Sequence, residues 1–373
     1  MRIIFVAGGT SGHINPAINV ANYLKKNEPD SEILYVGAKN GIEEKMAKDA
    51  GFNFKSIKIS GFSRKFSLSS IKKNIITIFR IFTSDIESKK ILKEFKPDIC
   101  FGTGGYVCGP LLRQASKLKI PFILQEQNSF PGLTTKILAK KAKKICFGNV
   151  EAKKYLHNIN CVYTGNPIKH NILEFVGTNC KELNAENIQI KARKILGLDT
   201  NYTIILSFGG SLGSPVINDV ISEIINTGKY FHIHSYGKNN KNFKLKRHNS
   251  HVRAYEYVEN MNICMAAADL IICRAGAMTL SELAIFGKPA VLIPSPNVAK
   301  NHQFYNAINY AKNYTASVIK ESDLTSDYLS KEIKRLIHEK NLKENFLKNL
   351  NFNIGSCEKI YKIIKTTLNL SKN

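Results

Sequence analysis

Ile3 to Ala7 is an unbroken apolar run that stops at Gly8-Gly9-Thr10-Ser11-Gly12, after which Ala17, Val20, Ala21 and Leu24 return at helical spacing. The pattern predicts a strand, a glycine loop and a helix. Thr203 to Phe208 repeats it, running into Gly209-Gly210-Ser211-Leu212-Gly213 and a stretch with Val216, Val220, Ile221 and Ile224 on one face. The same unit therefore opens both halves of the chain. Further short apolar runs (Ile33 to Val36, Ile99 to Phe101, Phe122 to Leu124, Ile145 to Phe147, Leu270 to Cys273, Ala290 to Ile293) alternate with helical patterns. Parallel strands need crossover connections, so alternation of this kind predicts an α/β protein with parallel sheets covered by helices. In open sheets of this class ligands bind beyond the carboxyl ends of the strands, where the glycine loops lie. Both halves are then expected to offer loops to a shared cleft.

A chain of 373 residues is long enough for two domains, each with its own core. The turn-forming cluster Thr164-Gly165-Asn166-Pro167 marks the boundary, and a polar stretch from Thr178 to Lys194 precedes the second half's first clear strand. We expect an N-terminal domain over 1–166 and a C-terminal domain over 167–354. Ile360, Ile363, Ile364 and Leu368 predict a last helix, about 355–373, that is free to pack back on the first domain.

Charge widens the range of partners. With 54 Lys and Arg against 29 Asp and Glu, a net +25 would attract nucleic acid, an anionic bilayer or a phosphorylated substrate. An AT-rich coding sequence would also enrich Lys, Asn and Ile, so charge alone does not choose. A nucleic-acid-binding module would interleave basic and aromatic residues on a recognisable motif, and none is present. The eight cysteines form no CxxC pair and no metal-ligand spacing, so neither disulfides nor a metal site is expected. No run approaches the roughly 20 apolar residues of a membrane span. The apolar start is too short for a signal-peptide core, and a cytoplasmic location is expected.

Glycines after a strand let backbone approach a ligand, and the following helix N-terminus offers N–H groups to phosphate. Neither duplicated loop matches a dinucleotide or P-loop fingerprint, and tight turning alone would account for either one. A third loop, Gly102-Thr103-Gly104-Gly105-Tyr106, follows the strand Ile99 to Phe101, so the first half carries two glycine loops that could admit a bulky acceptor through Gly104, Gly105 and Tyr106. His13 stands at a predicted helix start, where the dipole favours the neutral, basic form, and is a candidate general base. In the second half Asp269 to Cys273 reads as a strand, and Arg274-Ala275-Gly276-Ala277-Met278-Thr279-Leu280-Ser281-Glu282 as its exit loop and helix start. That is a diphosphate site without a metal. Thr279 and Glu282 also have the spacing of a capping box, in which Glu282 would bond the Thr279 backbone; a ribose diol is the other partner open to it.

Taken in order, Gly8 to His13, Gly102 to Tyr106, Gln125-Glu126-Gln127-Asn128, Gly165-Asn166-Pro167, Gly209 to Gly213 and Arg274 to Glu282 resemble the bacterial MurG family, GT-B enzymes that add N-acetylglucosamine to undecaprenyl-diphosphate-MurNAc-pentapeptide. The resemblance implies two Rossmann-like domains with parallel sheets facing a central cleft, UDP-GlcNAc on the second domain, lipid I at the first, and no cofactor. It places Thr10, Ser11 and Gly12 near the donor's sugar and diphosphate, Asn128 on the GlcNAc and Ser211 on the diphosphate. Val258 would present backbone to uracil, Ala277, Met278, Thr279, Leu280 and Ser281 would surround the nucleotide, and Glu282 would take the ribose hydroxyls. Gln303 would contact the GlcNAc hydroxyls, although His302 could fill that place. The chain has Lys169 where the family often has Arg, which keeps the charge but loses the planar fork. His13, with Glu126 as the alternative, would deprotonate the acceptor hydroxyl, and Arg274 would stabilise departing UDP.

A lipid-linked acceptor implies a peripheral enzyme at the cytoplasmic face of the cell membrane, with cell-wall synthesis or division proteins as further partners. Ile71, Ile75, Ile78, Phe79 and Phe82 fall on one helical face flanked by Arg64, Lys65, Lys72, Lys73 and Arg80, which would suit an anionic membrane surface through Ile75, Phe79 and Phe82. A core-facing stripe would look the same. The rival assignments are another GT-B enzyme with a UDP-sugar, such as a diacylglycerol glycosyltransferase or a UDP-GlcNAc 2-epimerase, and a basic nucleic-acid-binding protein.

Overall fold

The computed structural model describes residues 1–59, 83–156, 160–176, 185–198, 201–240, 243, 245, 251–339 and 355–372. The expected membrane residues Ile75, Phe79 and Phe82 lie outside them. The chain divides into two compact units, Met1–His170 with Gly355–Asn373, and Asn171–Ile354.

Seven parallel strands form the sheet of the first unit: β1 (Arg2–Ala7), β2 (Glu32–Ala38), β3 (Asn53–Ile57), β4 (Ile99–Gly104), β5 (Phe122–Glu126), β6 (Lys144–Phe147) and β7 (Cys161–Tyr163). Their order is β3-β2-β1-β4-β5-β6-β7. Because β1 lies between β2 and β4, the chain reverses its direction of winding beside β1, and a crevice opens there at the strands' carboxyl ends. Both faces of this sheet are covered. Ile4, Val6, Cys100, Leu111 and Leu124 belong to the core on one side. Ile3, Phe5, Ala17, Val20 and Leu24 belong to the core on the other, together with Ile360, Ile364 and Leu368 of the last helix, Ser356–Lys372. That helix is held further by Tyr361 Oη, which donates to Glu28 at 2.7 Å, and by an ion pair between Lys365 and Glu28.

The second unit repeats the plan with six parallel strands: β8 (Ile204–Phe208), β9 (Phe231–Ser235), β10 (Val252–Tyr255), β11 (Leu270–Cys273), β12 (Ala290–Leu292) and β13 (Ala316–Val318). The order β10-β9-β8-β11-β12-β13 puts the reversal between β8 and β11. Its core gathers Ile205, Ile217, Ile221, Leu270, Ile272, Val291 and Leu329. Two doubly wound parallel sheets are the fold that the strand and helix pattern predicts.

Four strands were not evident from the pattern: β3, β9, β10 and β13. All four are edge or next-to-edge strands with mixed polarity. β9, Phe231-His232-Ile233-His234-Ser235, alternates polar and apolar residues as a half-exposed strand would, yet its two histidines are fully buried. Within the polar stretch before β8, Ala185–Leu196 is helical and buries Ile188, Ala192 and Arg193. The Arg193 guanidinium pairs with Asp269 at 2.6 Å, which is how a polar sequence can pack inward.

Candidate active site

All four glycine loops follow the two strands that flank a winding reversal. In the first unit they follow β1 and β4. Gly104 has φ +117°, and a Cβ there would lie 2.7 Å from His13 Nδ1, so glycine is needed for the imidazole to rest on the loop. At Gly105, φ +87°, a Cβ would run into the Gly8 carbonyl. The two loops are thus packed backbone to backbone, with Tyr106 half-buried against Gly9. Burial and nearby Glu43 raise the Tyr106 phenol above its ordinary value, which keeps it a neutral hydrogen-bonding group.

The helix Ser11–Asn27 begins straight after the first loop, and its N-cap Thr10 makes no side-chain cap. Thr10 and Gly12 are exposed, and Ser11 and His13 half-buried. Backbone donors of that first turn accordingly face outward from the strands' carboxyl end. His13 Nδ1 lies 3.2 Å from Thr103 O and 3.0 Å from Gln127 Oε1, and Thr103 Oγ1 donates to His13 O at 2.6 Å.

Gln125, Glu126 and Gln127 are all buried at the end of β5. Glu126 Oε1 accepts from the Asn128 backbone N–H at 3.1 Å and from Asn128 Nδ2 at 3.0 Å. Its Oε2 accepts from Gly132 N at 3.0 Å and Thr135 Oγ1 at 2.7 Å. A carboxylate holding four donors shapes residues 126–135. Asn128, half-buried, is oriented by that carboxylate. The other two amides join Asn166: Gln125 Nε2 donates to Asn166 Oδ1 at 3.0 Å, and Asn166 Nδ2 to Gln127 O at 3.2 Å. Gln127 Nε2 donates to Thr103 O at 2.7 Å, Gln125 O at 3.2 Å and Gln125 Oε1. Lys169 is exposed and belongs to the first unit.

In the second unit the β8 loop presents Ser211 to solvent and is pinned by Lys238 N, which donates to Ser211 O at 3.2 Å. Ser214 caps the helix Pro215–Ile225. Arg274 stands at the exit of β11. Its Nη2 donates to Ser214 Oγ at 2.7 Å and pairs with Glu321, and its Nη1 donates to Ile293 O at 3.2 Å. The guanidinium therefore braces the β8 loop against the β11 and β12 exits, with its charge already matched by a carboxylate.

The helix after β11 spans Ala277–Phe286 with Gly276 as N-cap and no side-chain cap. Thr279 is thus inside the helix, which removes the capping-box alternative: that box needs Thr279 at the N-cap position. The first N–H groups of this helix have neither an intrahelical partner nor a capping side chain, the arrangement that accepts phosphate. Met278, Leu280 and Ser281 are buried; Ser281 Oγ donates to Ala277 O at 3.0 Å, while Thr279 and Glu282 are half-buried. Val258 is buried just after β10. Gln303 Oε1 accepts from Ser295 N at 2.8 Å, which fixes the loop after β12 and turns the amide's NH2 end away from it.

Sequence reasoning named the Gln125 to Asn128 and Gly165 to Pro167 motifs but gave no role to Gln125, Gln127 or Asn166. Their only signal was membership of those motifs, because what joins them is a set of contacts up to 41 residues apart.

Comparison with known proteins follows the same two units. The glycosyltransferase family 28 N-terminal domain matches residues 3–147, and the glycosyltransferase family 28 C-terminal domain matches residues 204–366. A protein of Acetivibrio thermocellus named UDP-N-acetylglucosamine--N-acetylmuramyl-(pentapeptide) pyrophosphoryl-undecaprenol N-acetylglucosamine transferase is 39% identical over 98% of both chains. A Thermoanaerobacter protein of the same name is 40% identical over 98% of this chain and 100% of its own. Among solved structures, MurG of Acinetobacter baumannii superposes with a TM-score of 0.74 at 24% identity, covering 98% of this chain and 99% of its own. UDP-GlcNAc 2-epimerase of Neisseria meningitidis shares the fold at 0.64 and 16% identity over the full length of both chains. With full-length relatives of one name and both glycosyltransferase family 28 domains in order, the chain belongs to the MurG family of N-acetylglucosamine transferases.

Proposed function

We propose that this chain transfers GlcNAc from UDP-GlcNAc to the MurNAc 4-hydroxyl of undecaprenyl-diphosphate-MurNAc-pentapeptide, converting lipid I to lipid II. The observation that carries the reading is the likeness to transferases of that name over nearly the whole chain. The 2-epimerase alternative rests on fold likeness alone.

The chemistry divides between the units. The uncapped helix N-terminus at Gly276 to Thr279 and the β8 loop with Ser211 hold the diphosphate, Glu282 takes the ribose hydroxyls, and the Val258 backbone meets the uracil. Asn128 and Gln303 bind the GlcNAc, with Thr10, Ser11 and Gly12 at its diphosphate end and Lys169 adding positive charge. Gly104, Gly105 and Tyr106 receive the acceptor. His13 removes the proton of the 4-hydroxyl, the new oxygen–anomeric carbon bond forms from the face opposite UDP, and the bond to the β-phosphate oxygen breaks with inversion from α to β. UDP leaves with the electron pair, stabilised by N–H groups already in place at the helix start. His13 then returns its proton to solvent.

Among the described residues no helix is long and apolar enough to cross a membrane. We place the enzyme peripherally at the cytoplasmic face, with the stripe at Ile75, Phe79 and Phe82 as its contact with anionic lipid. If Ile75→Asp with Phe79→Asp leaves vesicle binding unchanged in a folded protein, that stripe belongs to the core.

The test is turnover with radiolabelled UDP-GlcNAc and a lipid I analogue, run beside diacylglycerol as acceptor and an epimer assay without acceptor. Product on the lipid I analogue alone is expected, and product in either other arm instead would refute the assignment. In the same assay His13→Ala should lower kcat by about 10²–10⁴-fold with UDP affinity nearly intact; wild-type turnover would remove His13 from the mechanism.

A further inference from the structure

Three buried amides stand in series behind His13, and their orientations are not independent. Asn166 Nδ2 lies 3.2 Å from the Gln127 backbone carbonyl, an obligate acceptor, so the amide end facing it must be NH2. Asn166 Oδ1 therefore faces Gln125, whose Nε2 donates to it at 3.0 Å. Gln125 then has only its oxygen to offer Gln127 Nε2. A second anchor agrees: Gln127 Nε2 also meets the carbonyls of Thr103 at 2.7 Å and Gln125 at 3.2 Å, a place no amide oxygen could occupy. Gln127 must present Oε1 to the imidazole, 3.0 Å from Nδ1. Thr103 O, 3.2 Å from the same nitrogen, is another obligate acceptor. Facing two acceptors, Nδ1 must carry a proton, and a neutral ring then has its lone pair on Nε2.

We infer that Gln127, held by Gln125 and Asn166, is a positioning residue that fixes His13 as the Nδ1–H tautomer and so makes Nε2 the nitrogen that accepts the substrate proton. This rests on the assignment of His13 as base and deepens it. Backbone carbonyls set the polarity of the chain at both ends, and no carboxylate takes part. With all three amides buried, 1–2% exposed, water is kept from competing for Nδ1. An amide here supplies orientation without adding a charge beside the ring. Gly104 completes the arrangement, since a Cβ there would push the ring off its two acceptors.

The experiment uses the full chain labelled with ¹⁵N-histidine, unliganded, at pH 8. His13 is assigned by the signal lost in His13→Ala, and long-range ¹⁵N–¹H correlation shows which ring nitrogen is bare. Nε2 should be bare in the wild type; a proton on Nε2 overturns the proposal, whatever His13→Ala does to turnover. In Gln127→Met, of similar shape, the Nε2–H form should become populated. Turnover should fall about 10–100-fold while KM for UDP-GlcNAc stays within about twofold, as expected when a base is present in the wrong tautomer. Unchanged tautomer and unchanged kcat in that variant overturn the proposal. So does a changed tautomer with full kcat while His13→Ala is inactive. Should Gln127→Met not fold, Gln125→Met reads the same chain one link further back, with the same direction and a smaller effect. Full turnover in His13→Ala, by contrast, sinks the base assignment and leaves the tautomer result standing on its own.

Discussion

The buried pair on β9 makes the second unit acid-sensitive, in a pH window set by two imidazoles. His232 and His234 are both fully buried, and among the described residues neither nitrogen of His232 nor Nε2 of His234 has a hydrogen-bond partner. Burial holds His232 down at about 4 from an ordinary 6.5, with His234 adding repulsion. Burial also holds His234 at about 4, against an opposing hydrogen bond with the Ser207 backbone; Ser207 Oγ lies 2.8 Å from its Nδ1. Between pH 4 and 6.5 the unfolded chain therefore binds more protons than the folded one, so stability falls as pH drops through that window and is level above it. For each histidine the linkage at pH 5 amounts to about 2 kcal/mol, and for the pair about 4 kcal/mol. His232→Leu, of similar volume, should halve the loss between pH 6.5 and pH 5. It should also add about 1–2 kcal/mol at pH 8, because two desolvated nitrogens are removed with no partner left behind. Pulse proteolysis across a urea series, with peptides from 204–339 read by mass spectrometry, follows the second unit separately, which matters where two units need not unfold together. A wild-type midpoint identical at pH 6.5 and pH 5, or an unaltered pH slope in His232→Leu, would refute the argument.

Three other expectations use the same handles. Glu126→Gln replaces one oxygen by NH2 and so sets two of the four accepted hydrogen bonds against donors, a cost of about 1–3 kcal/mol to the 126–135 loop; kcat should fall while its pH profile keeps its shape, whereas loss of the acid limb would make Glu126 the base. Glu321→Ala strands the Arg274 guanidinium, 13% exposed, and should lower the second unit's stability by about 3–5 kcal/mol with first-unit peptides unaffected. Gly105→Ala drives a Cβ into the Gly8 carbonyl at a positive φ and should lower the first unit's urea midpoint by the equivalent of at least about 2 kcal/mol; an unchanged midpoint would mean the two glycine loops are not packed as described.

What the sequence made legible was whatever depends on local pattern. β1, β8 and β11 are mainly apolar runs, the first two leading straight into glycine and the third reaching it at Gly276, and each appears within a residue of its expected bounds. β9 was hidden because two of its buried positions are histidines, and burial of a polar side chain is decided by neighbours far along the chain. The Thr279 to Glu282 spacing left two readings open for a related reason: it fits a capping box, and only the position of the N-cap, Gly276, three residues before Thr279, decides against it. The bracing contacts of Arg274 were not legible because its partner, Glu321, is 47 residues away. The amide series from Asn166 to His13 was equally invisible, since β4, β5 and the segment after β7 meet only once the sheet has formed.

The Ser356–Lys372 helix has a consequence for the order in which the protein comes into being. Ile360, Ile364 and Leu368 complete a core whose other members were synthesised near the start of the chain. The ribosome emits the whole second unit, Asn171–Ile354, before the missing wall of the first appears. At roughly 5–20 residues per second the wait is on the order of 10–40 s. During that interval Ala17, Val20 and Leu24 lack their cover, although the second unit has all it needs to fold. The half of the protein made first is thus the half finished last. A stop codon that removed only the final helix would leave a nascent first unit exposed to chaperones and proteases beside an intact second one.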